Sequence, residues 1–135
     1  TITMTVKTPA GRTPAITPYL SVRGAAAAID FYRRAFGAEE LYRLEAGNGL
    51  VGHAEVRIGD SVILLADELS GSPQRSPASL AGTSVAVRLY VDDVDACFTR
   101  ALAAGGVQLR GVADQFYGDR CWWSRRTTRT ARASC

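Results

Sequence analysis

One histidine, one methionine and three cysteines are all that this 135-residue chain carries of the residue types richest in soft-metal and redox chemistry. Cys97, Cys121 and Cys135 make an odd set without zinc-module spacing, which excludes a disulfide-stapled miniprotein and agrees with a reducing cytoplasm. No apolar run approaches the ~20 residues of a membrane-spanning helix. Thr1 to Pro14 lacks the apolar centre of a secretory leader. There is no Walker loop and no Gly-x-Gly-x-x-Gly. A Ser/His/Asp or Cys/His set is absent too, because His53 stands without a motif partner.

Charge of one sign is also scarce. The formal net charge is +3, but every acidic residue lies at or before Asp119, while Arg125, Arg126, Arg129 and Arg132 follow Arg120. The body is therefore close to neutral and the excess belongs to the last fifteen positions. Such an end contacts phosphate non-specifically at most, so no specific nucleic-acid partner is expected. What remains, 47% hydrophobic and 21% charged, is the composition of one compact globular domain.

The hydrophobic pattern runs through the chain twice. Ile16 to Val22 alternates as a half-buried strand. Ala25 to Phe36 is rich in helix formers, with Ile29, Tyr32 and Phe36 on one stripe and Gly37 as a helix-ending residue. Strands follow at about 38–45, 51–58 and 61–67, the last two joined by a Gly59-Asp60 turn. Val85 to Val91 then reads as a second first strand. Asp92 or Asp93 caps a helix with Val94, Phe98 and Ala101 on its stripe, Gly105-Gly106 ends it, and Val107 to Val112 is the next strand. The offset between strand ends, Val22 and Val91, matches that between helix-ending glycines, Gly37 and Gly105, as a duplication requires. The fold class is α+β: two βαβββ modules forming a curved mixed sheet. The expected organisation is a flexible segment 1–14, a domain 15–120 with modules 15–68 and 84–120 and linker 69–83, and an atypical basic tail 121–135.

Thr17-Pro-Tyr-Leu, Ala28-Ile-Asp-Phe-Tyr, Ala35-Phe-Gly-Ala-Glu, Gly52-His-Ala-Glu, Leu89-Tyr-Val-Asp-Asp-Val-Asp and Phe116-Tyr-Gly-Asp-Arg120 occur in this order. With them the chain resembles the glyoxalase/bleomycin-resistance/dioxygenase (vicinal oxygen chelate) superfamily, and within it the bacterial PhnB-like proteins. The resemblance implies a homodimer and, in the enzymes of the group, a divalent metal held by His, Gln and Glu side chains on the concave face. The positions matching the first ligand of each module are Thr17 and Ala86, which supply neither imidazole nor carboxylate. Asp67 or Glu68 matches another. No metal and no cofactor are therefore expected.

Alternation puts His53, Glu55 and Arg57 on one side of their strand and Ala54, Val56 and Ile58 on the other. Extended across strands, the polar side gathers Tyr19, His53, Arg88 and Tyr90, with Tyr117 and Arg120 reaching it from the loop motif. These six are the expected ligand-binding residues. The expected function is metal-free binding of a small molecule; the alternative is a metal-dependent lyase, isomerase or dioxygenase using His53, Glu55 and Glu68. After Arg120 the chain departs from the resemblance, which implies a glycine, an Asp-Pro-aromatic-Gly turn and a closing strand. A one-base shift of reading frame turns Trp122-Trp123 into Gly-Gly, so the segment points to a frameshift and to a second module without its last strand.

Overall fold

In the computed structural model of the chain, residues 15–114, 120–126 and 130–134 are described, the last two stretches together with Leu109 and Arg110 by backbone alone. The first half contains β1 (Tyr19–Val22), α1 (Ala25–Phe36), β2 (Glu39–Gly47), β3 (Leu50–Ile58) and β4 (Ser61–Asp67). A linker with one short helix, α2 (Pro77–Leu80), leads to β5 (Ala86–Arg88), α3 (Val94–Ala103), β6 (Gly106–Asp114), β7 (Arg120–Arg126) and β8 (Thr130–Ser134).

Each half folds its strands into a four-stranded mixed sheet, in the orders β1-β4-β3-β2 and β5-β8-β7-β6. β1 runs parallel to β4 as β5 runs parallel to β8, and the remaining neighbours are antiparallel. The two topologies coincide, which is what an internal duplication produces. Register shifts along β2, between Glu40 and Tyr42 and again around Glu45, bend the first sheet.

Three expectations are corrected. β1 begins at Tyr19, not Ile16, because Pro18 has no N–H to give a ladder; its carbonyl accepts from Leu64 N and Ile16 stays 83% exposed. β5 is only Ala86–Arg88, since the β8 register reaches no further than Arg88, so Tyr90 lies beyond the strand. The chain after Arg120 is not a tail outside the fold, nor does the second module lack its closing strand: β7 pairs with β6, and β8 lies between β7 and β5. Ladder pairing needs only backbone donors and acceptors, so a segment without apolar alternation still pairs with a waiting edge. The N-terminal segment 1–14 lies outside the described residues.

α1 occupies the bounds that its composition predicts, and it buries two faces. Ala25, Ala28 and Ile29 join Val22, Ala54, Val56 and Leu65 in the core against the first sheet. Phe31 and Ala35 pack with Cys97 and Ala101 of α3 and with Ala104 just after it. The alanines allow this close approach on both sides. Its end is set by Gly37 in a left-handed conformation (φ 66°), with N–H bonds from Gly37 to Arg33 O and from Ala38 to Tyr32 O. α3 starts on Asp93, whose carboxylate accepts from Ala96 N at 3.0 Å.

The start of α1 has no such local cap. Gly24 offers no side chain, and no acidic residue occupies the first turn. Asp67, at the end of β4, supplies the cap from outside: Oδ1 accepts from Gly24 N at 2.8 Å and Ala25 N at 3.0 Å, and Oδ2 from Val51 N of β3 at 2.8 Å. The carboxylate is buried, 6% exposed, and sits at the positive end of the helix dipole.

Its neighbour Glu68 fastens the linker. Oε2 accepts from Ser76 Oγ and Ser79 Oγ, each at 2.6 Å, and from Ser76 N at 3.1 Å, while Oε1 takes Arg75 Nε at 2.8 Å. Ser79 Oγ in turn accepts from Arg23 Nη2 at the end of β1. The serine hydroxyls, then the Ser76 amide and Arg75, outweigh burial and hold the Glu68 carboxyl at about 2, against an ordinary 4.5.

Two outcomes follow. Asp67→Ala, which strands three backbone donors, should lose about 2–4 kcal/mol of unfolding free energy in chemical denaturation, and Asp67→Asn roughly half of that; a loss below about 1 kcal/mol for the alanine variant would contradict the cap. For Glu68 the folded-state value is the depressed one, so its contribution is complete above about 4.5 and fades as pH falls toward about 2. The stability gap between the parent chain and Glu68→Gln should be open at pH 6–7 and close across that acid window; a pH-independent gap would refute the assignment.

Candidate functional site

With α1 covering one face of the first sheet, alternate residues of β1 and β3 are left on the other. Ala54 and Val56 are buried under the helix, and Ile58 packs at the margin of that core. His53 and Glu55 are half-buried on the opposite side and Arg57 is exposed there, which is the parity that the sequence predicts. Val51, of the same parity as His53, is nevertheless buried, because the β2 register shifts fall beside it.

The register aligns Tyr19 with Leu64, Leu64 with Glu55, and Glu55 with Tyr42, so three polar residues from β1, β3 and β2 share one row across the sheet. His53 stands in the adjoining row. Tyr19 Oη lies 2.9 Å from His53 Nδ1, and His53 Nε2 lies 3.5 Å from Glu55 Oε1. The His53 ring also faces those of Tyr19 and Tyr42, at centroid separations of 5.5 and 6.1 Å. Arg57 pairs with Glu39 at the end of the same face.

The chain Tyr19–His53–Glu55 has two proton arrangements. With a neutral imidazole protonated on Nε2, the Tyr19 hydroxyl donates to Nδ1, Nε2–H points at Glu55, and the phenolic lone pairs are left as acceptors for a bound molecule. With the neutral ring protonated on Nδ1 instead, His53 donates to Tyr19 Oη, whose O–H is released as a donor. The cluster therefore offers a donor or an acceptor from one atom, backed by aromatic surface.

Of the six expected ligand residues, Tyr19 and His53 are brought into direct contact. Arg88 closes β5 in the second sheet, and Tyr90, 76% exposed beyond that strand, does not join the pair. Tyr117 lies outside the described residues; Arg120 opens β7 opposite Asp114, its side chain likewise outside them. Tyr42 was not foreseen: the strand at 38–45 carries no alternation clean enough to assign its faces, and only the pairing with β3 does so. In the linker, which the sequence marks as loop, Leu80 is apolar and 62% exposed, and Val85, expected to open the next strand, lies just before β5 and is 63% exposed.

The residues present do not fit the transition-metal site that this fold family implies. Thr17 and Ala86 provide no ligand atoms of the needed kind. Asp67 is consumed by three backbone amides, and Glu68 by two serines, a backbone amide and an arginine. β8, the strand from which a last ligand would come, reads Thr-Ala-Arg-Ala-Ser. Among the described residues no three His, Cys, Asp or Glu side chains converge. The alternative set of His53, Glu55 and Glu68 is corrected accordingly: the first two adjoin, but Glu68 is committed to the linker.

Comparison with known proteins agrees with the geometry. An uncharacterised protein of Mycobacterium bovis, Mb0911c, is 44% identical over 110 residues, 79% of this chain and 72% of that one. Rv0887c of Mycobacterium tuberculosis, also uncharacterised, is 44% identical over the same length, and the chain covers 65% of it, slightly under two thirds. Among solved structures, a gene product of Arabidopsis thaliana superposes with a TM-score of 0.68 at 22% identity, over 88% of this chain and 94% of that one. A PhnB protein of Bacillus cereus does so at 0.60 and 21%, over 88% and 95%. The sequence pattern of one family spans residues 14–121, the whole first module and the second as far as the start of β7, and the chain thus belongs to the Glyoxalase/Bleomycin resistance protein/Dioxygenase superfamily.

Proposed function

We propose that this chain binds a small organic molecule at the Tyr19–His53–Glu55 cluster and does so without a transition metal. The observation that carries the reading is the hydrogen-bonded Tyr19–His53 pair, half-exposed on the sheet face that α1 leaves open, while both nearby carboxylates of β4's end are tied into the scaffold. Aromatic rings with a few polar heads suit a partly apolar ligand. The superfamily name spans enzymes and binding proteins, and fold alone does not choose between them. The unfit metal positions favour binding.

The reading extends to a homodimer in a reducing cytoplasm. Its support is the outer strand β2 with the adjoining start of β3, where Leu41, Tyr42, Leu44 and Leu50 are 39–54% exposed. An apolar sheet edge is stabilised by a partner. Cys97, buried between helices, needs no oxidant for its role.

The test is a thermal-shift screen of metabolites and antibiotics, joined to elemental analysis. A true ligand raises the melting temperature by mass action, and Tyr19→Phe should weaken it about tenfold, the value of one hydrogen bond of roughly 1.4 kcal/mol. Stoichiometric zinc, nickel, manganese or iron in the purified protein, or a ligand indifferent to both Tyr19→Phe and His53→Ala, would overturn the reading. Size-exclusion chromatography with light scattering should give a dimer at micromolar concentration; a monomer removes that part.

A further inference from the structure

The outer strands β1 and β5 face each other across a cavity of about 380 Å³, which the linker closes from above. Its walls are apolar for the most part, from Leu20 of β1, Pro77 and Leu80 of α2, and Val85 and Val87 at β5. A single charged residue, Arg75, enters the lining among the described residues. The guanidinium is held in place from behind: its Nε donates to Glu68 Oε1 at 2.8 Å, and neither terminal nitrogen has a hydrogen-bond partner among the described residues. Arg23 bonds Ser79 in the same network.

A planar fork fixed by its inner nitrogen, with both outer nitrogens open, matches the two oxygens of a carboxylate. The volume bounds the rest of the ligand. At a liquid share of ~30 Å³ per small group, 380 Å³ takes roughly a dozen heavy atoms. We infer that the β1–β5 cavity is a binding site for a small amphipathic monocarboxylate, its acyl body against Leu20, Leu80 and Val87 and its carboxylate on Arg75. This site is separate from the Tyr19–His53–Glu55 cluster proposed above and shares with it only Tyr19, which borders the cavity.

Isothermal titration calorimetry at pH 7, below micelle-forming concentrations, tests it with decanoate and decanol as probes. Decanoate should bind saturably at one per chain and at least tenfold more tightly than decanol. Arg75→Gln should bring decanoate to the decanol level while leaving decanol unchanged. Because Arg75 also braces the linker, Val85→Trp serves as a second variant: it starts from an exposed residue, fills the cavity, and should abolish both. His53→Ala should leave decanoate binding within about twofold. Absence of saturable decanoate binding, equal affinity for decanol, or indifference to Arg75→Gln would each overturn the inference. Loss of decanoate binding in His53→Ala with none in Val85→Trp would place the ligand on the polar cluster, sinking this site and sparing the earlier reading. Normal decanoate binding, together with screen hits that ignore Tyr19 and His53, would do the reverse.

Discussion

A carboxylate that accepts three backbone N–H bonds from two different elements is an organising centre, and Asp67 is one. It stands where β4 ends, the first turn of α1 begins and β3 passes, and it satisfies the buried amides of Ala25 and Val51 together with that of Gly24 at the margin. The chain leaves β1 through Gly24 in a left-handed turn (φ 74°), which brings α1 back over the sheet but leaves its first amides uncapped. Asp67 resolves both needs at once. The same requirement removes the residue from any metal chemistry, since a buried carboxylate surrounded by N–H donors cannot turn to a cation without unsatisfying them.

From that junction the rest of the architecture follows. α1 is positioned tightly enough to bury alanines on two faces, one against the first sheet and one against α3. The helix is thus the element through which the first module touches the helix of the second. Where α1 lies decides which face of β1 and β3 is closed, and so which face carries Tyr19, His53 and Glu55. Glu68, the next residue, extends the control outward by fastening the linker to the ends of β4 and β1. Two adjacent carboxylates therefore build the scaffold and roof of the regions to which ligand binding is assigned.

A superfamily whose enzymes place metal ligands at strand positions here presents threonine, alanine and two structurally committed acids. The chemistry left over is that of hydroxyl, imidazole and guanidinium: a hydrogen-bonded Tyr19–His53 pair, and an arginine, Arg75, held by Glu68. Both groups adjoin a carboxylate, Glu55 beside His53 in one case and Glu68 beside Arg75 in the other.

Local pattern was enough for α1, whose alanine-rich run and terminal Gly37 define it without reference to any partner, and for the Gly59-Asp60 hairpin between β3 and β4. It was also enough for the parity of His53 against Ala54, because a strand's period of two is a property of the strand itself. Tertiary structure alone decided the rest. Asp67 and Glu68 look alike as neighbouring acids, and only the fold delivers amides to one and serine hydroxyls to the other. β7 and β8 were invisible because backbone pairing leaves no apolar signature, and β5 was cut short because pairing length belongs to two strands together. The polar cluster was half legible and the roofed cavity not at all: periodicity tells a residue which way to face, but what it faces depends on segments far away in the chain.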